Sequence, residues 1–245
     1  MRRFLLISLV ILGTAMLKAQ NTDIFDEVSF VTSDGIKISA SYGLSESDSP
    51  LPAIILIHQG GSSREEWFEL PLVNKLIQKG YAVLAYDVRI HGRSGKDKGN
   101  LTDLFNNPKR APLDLKAAIR YLEQDQRIDS ERIGIIGASI GANLACVAAA
   151  SDQYNVQSIV SISAKVSAVE SLSGSENPLT YSNAFLMASM EEQGGLRKDW
   201  ANELFDKTKG QRAIKIAPGD KDGSYILREH PAIGKEIIVW FGKTL

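Results

Sequence analysis

Stretches of unbroken apolar residues recur along the chain, separated by segments in which the apolar positions fall every three or four residues. Val28 to Thr32 and Ile36 to Tyr42 alternate apolar and polar residues around Ser33-Asp34-Gly35, which predicts an antiparallel hairpin closed by a tight turn. Ser45 to Pro52 is a polar loop, and Ala53 to Ile57 is apolar throughout, as in a strand covered on both faces. A helix is expected from about Arg64 to Lys79, closed by Gly80, and Tyr81 to Tyr86 is the next buried strand. From Pro112 to Asp125, Leu113, Leu115, Ala118, Ile119 and Leu122 keep helical spacing. Strands are expected over Ser158 to Ser163, Ala184 to Ala188 and Arg212 to Ala217. A helix is expected near Leu196 to Lys207, and a last amphipathic segment carries Ile233, Ile237, Ile238 and Trp240. Strand and helix alternating after the hairpin predict an α/β fold, a mainly parallel sheet with helices on both faces.

The segment from Arg132 to Ala150 concentrates the chemistry. Its apolar strand pattern ends in Gly137-Ala138-Ser139-Ile140-Gly141 and passes at once into an Ala-rich helix pattern. This is the form of a nucleophile elbow, with glycines on either side because the sharp turn leaves no room for a Cβ. The helix that starts there aims its N-terminus at whatever Ser139 attacks, so the Ile140 N–H can donate to a developing oxyanion. The plainer alternative is a glycine-rich connection with an incidental serine; the strand before it and the helix after it weigh against that.

The chain's 245 residues, 44% hydrophobic, suffice for one sizeable core. A net charge of −1 gives no reason to expect nucleic acid or an anionic membrane surface as a partner. The single cysteine, Cys146, excludes an intramolecular disulfide and sits in the Ala-rich helix as a small apolar side chain. No CxxC pair or His-rich cluster suggests a metal, and no cofactor is implied.

Taken together, His58-Gln59-Gly60-Gly61 after one strand, Gly80-Tyr81 opening the next, Asp87 to Ser94 after it and the elbow at Gly137 to Gly141 resemble the α/β-hydrolase superfamily, in its compact dienelactone-hydrolase and esterase-like branch. The resemblance covers about Val28 to Phe241. It implies a Ser, acid, His triad at the carboxyl ends of the strands, with a second oxyanion donor at Gly60, or Gln59 as runner-up. His58 and His91 fall where the family places structural loop residues, as do Asp87 and Arg89. Ala164 to Tyr181, where relatives often insert a lid, is short and rich in Ser and Gly, so no sizeable lid is expected and the site should be open. The acid position is expected at Glu192, with Glu191 as the alternative.

The base is where the chain departs from this pattern. Relatives read Pro-Gly-x-x-His-Gly after the last strand; here Pro218-Gly219-Asp220-Lys221-Asp222-Gly223 puts Asp222 in the place of the imidazole. A carboxylate of ordinary pKa about 3.9 is a far weaker base than an imidazole near 6.5. Asp222 would also face Glu192, and two carboxylates sharing a site do not deprotonate a serine. His230 is the runner-up base, about 12 Å further along if the segment were helical. Lys221 and Lys165 are weaker candidates for a Ser-Lys dyad. Two functions remain open: a serine hydrolase with esterase-like acyl hydrolysis and weak activity, acting on a small-molecule ester-like substrate, or a non-catalytic relative that keeps the pocket as a ligand-binding or interaction module. The oligomeric state is not indicated.

The first twenty residues stand apart. Arg2 and Arg3 precede an apolar run from Phe4 to Leu12, and small or apolar residues follow at Leu17-Lys18-Ala19. This is the pattern of a secretory signal peptide, with an uncleaved anchor as the alternative. The reading divides the chain into a signal segment, 1–20, and one hydrolase-like domain, 21–245, exported to the periplasm or beyond and without a membrane span once mature. Intact mass of protein from its native host should show a chain beginning near Gln20 or Asn21; a species that retains Phe4 to Leu12 refutes cleavage.

Overall fold

The computed structural model describes residues 24–245, so the signal-peptide reading lies outside the described residues. Among them, eight strands form one sheet in the order β1-β2-β4-β3-β5-β6-β7-β8. The strands are β1 (Phe25–Val31), β2 (Lys37–Gly43), β3 (Leu51–Ile57), β4 (Ala82–Tyr86), β5 (Ile128–Ala138), β6 (Ser158–Ile162), β7 (Tyr181–Ser189) and β8 (Thr208–Ala217). β1 and β2 pair antiparallel, β2 pairs antiparallel with β4, and every other pairing is parallel. The expected hairpin is therefore present, turning at Gly35 with φ 84°.

Helices cover both faces. One face carries α3 (Ala111–Glu123), α4 (Ile140–Ala149), α5 (Val166–Ser173) and α6 (Leu196–Asp206); the other carries α1 (Glu65–Phe68), α2 (Pro71–Gln78), α7 (Tyr225–Glu229) and α8 (Ile233–Thr244). β3 shows why its sequence does not alternate: Ala53, Ile55 and Ile57 enter one core while Ile54 and Leu56 enter the other. Both layers are dry because the strand has no solvent face.

The structure corrects the expected elements in four places. The helix predicted over Arg64 to Lys79 is two helices, because Pro71 excludes helical dihedrals at Leu70, which is extended at φ −101°, ψ 132°. Between β6 and β7 the stretch to which the sequence assigns no element holds α5, which buries Val166, Ala168, Val169 and Leu172 and ends at left-handed Gly174. It is one short helix, not a cap domain. β8 begins at Thr208 rather than Arg212, since this edge strand exposes Lys209 to Gln211 and so lacks an apolar signature there. The residues from Gly95 to Arg110, to which no element had been assigned, form a strap between β4 and α3 that includes a 3₁₀ turn at Thr102–Phe105.

A buried charge cluster ties the strap, the hairpin turn and α3 together. Arg89, with no exposed surface, donates through Nε to Asp114 at 2.9 Å and holds Asp34 at 2.7 Å and Asp97 at 3.1 Å. Removing one partner of such a buried set leaves the others uncompensated, at a cost of about 3–5 kcal/mol. Arg89→Ala should therefore lower the unfolding free energy by about that amount, read by urea denaturation; a loss below about 1 kcal/mol would show that the cluster contributes no more than a surface pair.

Candidate active site

β5 delivers its last residue into a turn that its neighbours force to be tight. A Cβ on Gly137 would overlap the Gly141 carbonyl, and one on Gly141 would overlap the Ile57 carbonyl at the end of β3. Between the two glycines Ser139 sits at φ 50°, ψ −102°, a conformation that costs a non-glycine residue of order 1–3 kcal/mol and is kept where the surroundings impose it. Its own N–H donates to the Ile162 carbonyl of β6 at 2.8 Å, and its carbonyl accepts from Asn143 in α4. The Ser139 side chain is half-buried and has no hydrogen-bond partner among the described residues. The Ile140 N–H opens α4 and is likewise given to no protein acceptor among them.

The loop after β3 faces this turn. The Gln59 N–H is already committed to Glu66 Oε1 at 3.2 Å and the Gly61 N–H to His91 Nε2 at 3.0 Å. The Gly60 N–H, unlike those of Gln59 and Gly61, is given to no acceptor among the described residues, so of the two candidate donors Gly60 is the one left free. The two histidines have no nitrogen to offer a nucleophile. His58 donates from Nδ1 to the Gln59 carbonyl at 2.7 Å and accepts at Nε2 from the Val88 N–H at 3.0 Å. His91 donates from Nδ1 to the Arg89 carbonyl at 3.1 Å. Burial holds the His58 pKa down at about 4, so the neutral form fixed by these bonds persists. Asp87 braces the same region, accepting from the Arg64 and Arg93 N–H groups at 2.8 and 2.9 Å.

At the ends of β7 and β8 the two carboxylates, Glu192 and Asp222, come near each other without sharing a hydrogen-bond donor among the described residues. Glu192 is buried and Glu191 exposed. Ser163, which follows β6 at φ 65°, donates its hydroxyl to Glu192 Oε2 at 2.6 Å, and Arg197 of α6 approaches Oε1 at 3.2 Å. Burial pushes the Glu192 carboxyl up in spite of these two partners, and the nearby Asp222 charge adds to the rise. Asp222 itself is exposed. Its loop is fastened by main-chain groups on either side: the Gly223 N–H donates to Ser163 Oγ at 3.0 Å, and the Ser224 N–H donates to Gln59 Oε1 at 3.2 Å. A Cβ on Gly223 would lie 3.4 Å from the Cβ of Ala138, the residue before Ser139, so the loop that carries position 222 runs beside the elbow.

The remaining candidates lie apart. His230 donates to the Pro218 carbonyl at 3.1 Å and touches neither Ser139 nor Glu192. Lys221 pairs with Asp220 at 3.1 Å, and Lys165 is exposed. Sequence reasoning missed Ser163 and Arg197, which contact Glu192 only because parallel strands bring their ends to one edge; no local motif announces them.

Glu66 under the oxyanion loop generates a pH dependence. Burial raises its pKa from 4.5 to about 7. The folded state thus binds this proton more tightly than the unfolded chain does, so the contribution to stability is full below pH about 4.5 and is lost as pH rises through about 7. Glu66→Gln keeps an acceptor for the Gln59 N–H but cannot ionise. Its unfolding free energy should change less between pH 5 and 8 than that of the wild type, the difference approaching about 3 kcal/mol; identical pH profiles in chemical denaturation would refute the assignment.

Comparison with known proteins follows the same lines. A family model described as the alpha/beta hydrolase fold matches residues 52–212. The Escherichia coli protein YcjY is 34% identical over 112 residues, covering 46% of this chain and 35% of YcjY. The thiohydrolase aneE of Aspergillus aculeatus is 30% identical over 148 residues, 60% of this chain and 44% of aneE. These matches thus span well under two thirds of the relatives' own lengths. Among solved structures, an esterase from Pyrococcus furiosus superposes with a TM-score of 0.70 at 19% identity, covering 92% of this chain and 93% of that one.

Proposed function

Since the chain belongs to the alpha/beta hydrolase fold family, we propose that it is an exported serine hydrolase of esterase-like specificity whose turnover is slow. Ser139 is the nucleophile, the Gly60 and Ile140 N–H groups receive the oxyanion, and Asp222 stands where the general base would be. The observation that carries this reading is the elbow itself: a serine held in a strained conformation at a helix N-terminus, its hydroxyl unpaired, with two unspent N–H groups nearby. Strain of that kind is maintained against a cost, and two preorganised donors stabilise a tetrahedral adduct whether or not a base is present. The substrate is a small-molecule ester or thioester; the relative aneE is itself named a thiohydrolase. Export rests on the first twenty residues.

What slows the reaction is the proton. Ser139 must lose one on attacking the acyl carbon, and the leaving group must gain one; an exposed carboxylate at position 222 serves neither transfer well near neutral pH. Glu192 accepts from Ser163 at Oε2, whereas Oε1 has only the Arg197 charge at 3.2 Å and accepts no hydrogen bond among the described residues. An aspartate where an imidazole would stand at position 222 favours a second reading, in which the pocket binds an ester-like ligand and releases it unchanged.

The two readings part on the base. Wild-type protein should label slowly with a fluorophosphonate and hydrolyse p-nitrophenyl acetate at a low rate that Ser139→Ala abolishes, since the oxyanion hole and binding alone leave roughly 10³ to 10⁴-fold catalysis over water. Asp222→His should raise that rate at least about tenfold, and Glu192→Gln in the same background should reverse the gain. A rate in wild type that Ser139→Ala leaves unchanged overturns the hydrolase reading in favour of binding. A high wild-type rate that collapses in His230→Ala would instead make His230 the base.

A further inference from the structure

The strap from Gly95 to Arg110 is fastened far more firmly than a surface connection of its length requires. Arg110, almost wholly buried, closes on both oxygens of Asp97, donates to the Asn100 carbonyl at 2.7 Å and approaches Asp103 at 3.3 Å. Asp97 is in turn held by Arg89 at 3.1 Å. Gly99 lies so close to the Arg110 guanidinium that any side chain there would collide with it. These holds flank the 3₁₀ turn at Thr102–Phe105, which packs against α4, the elbow helix, and against α5.

Within that turn Leu104 is fully buried, whereas Phe105 is only half-buried. The tip of the Phe105 ring stands 3.5 Å from the place a Cβ on Gly60 would occupy. Gly60 is the residue whose N–H remains unspent. In a tetrahedral adduct on Ser139 the oxyanion and the first acyl carbon are bonded to the same centre, so an oxygen seated at Gly60 leaves the acyl substituent one bond from that centre and within reach of this ring. With Leu104 anchored in the core and the flanks of the turn locked by the two arginines, the backbone that carries the ring is held in place, and the ring itself packs against the core.

We infer that Phe105 is the specificity-determining residue of the site, an aromatic wall beside Gly60 that admits acyl groups of a few carbons and turns longer chains away. The inference rests on Ser139 being the nucleophile and names the acyl class that such a nucleophile accepts.

The experiment compares full-length wild type, Phe105→Ala and Phe105→Leu in their labelling by fluorophosphonates whose phosphorus carries an ethyl or an octyl chain, followed by intact mass over hours. Wild type should favour the ethyl reagent, and Phe105→Ala should shift the octyl-to-ethyl ratio by at least about tenfold toward octyl, the scale on which an apolar pocket discriminates chain length. Phe105→Leu, which keeps an apolar side chain against the core and guards against a folding defect in the alanine variant, should shift it less. A ratio unchanged in both variants overturns the inference and leaves the Ser139 reading intact. If wild type takes neither reagent, the nucleophile reading fails, and the wall is judged by calorimetric binding of the ethyl and octyl carboxamides propanamide and nonanamide, which need no attack by serine. The same shift toward octyl in Phe105→Ala supports the wall, and an unchanged preference overturns it.

Discussion

Backbone crowding at the end of β5 is the constraint on which the site depends. Gly137 touches Gly141, and Gly141 touches the Ile57 carbonyl, leaving no space for a methyl group at either position. That crowding brings three chain segments together, the ends of β3 and β5 and the first turn of α4. It leaves Ser139 no option but a positive φ, with its hydroxyl above the sheet edge. The two unspent N–H groups are by-products of the same packing: Ile140 because a helix must begin immediately, and Gly60 because the loop after β3 has to clear the elbow. Close approach of backbone to backbone, rather than any side-chain interaction, builds the receiving half of the site.

The half of the site that would handle the proton is built differently. In a working triad the acid orients an imidazole; here the carboxylate of Glu192 is turned to a serine hydroxyl and a guanidinium. Ser163 links this pair to the Gly223 N–H, and Arg197 returns to the Ser163 carbonyl at 2.9 Å. A buried carboxylate left without a partner is expensive; the Ser163 hydroxyl and the Arg197 charge offset that cost, while Oε1 accepts no hydrogen bond among the described residues.

The fold was largely legible in the sequence because its strands are buried on both faces and its helices amphipathic. β3, β4 and the start of α4 follow directly from residues such as Ile54 to Ile57 and Val83 to Tyr86. What escaped has physical reasons. The split between α1 and α2 lay in a single dipeptide, Leu70-Pro71, inside an otherwise continuous helical pattern. The edge strand β8 has one partner and much solvent, so its first residues carry no apolar code. The strap owes its order to ion pairs between residues far apart in sequence, Asp34, Arg89, Asp97 and Arg110, and such pairs leave no periodic trace. Ser139 and Asp222 could be found as positions in motifs, whereas Ser163, Arg197 and Phe105 acquire meaning only from what the fold sets beside them.

The loop that carries Asp222 takes its shape from the amides of Gly223 and Ser224, which bind Ser163 and Gln59, and makes no use of the side chain at 222. Aspartate and histidine codons differ by a single nucleotide. A lineage with this architecture can therefore lose or regain an imidazole there without disturbing the surrounding fold, and selection on reactivity at this position acts almost independently of selection on folding.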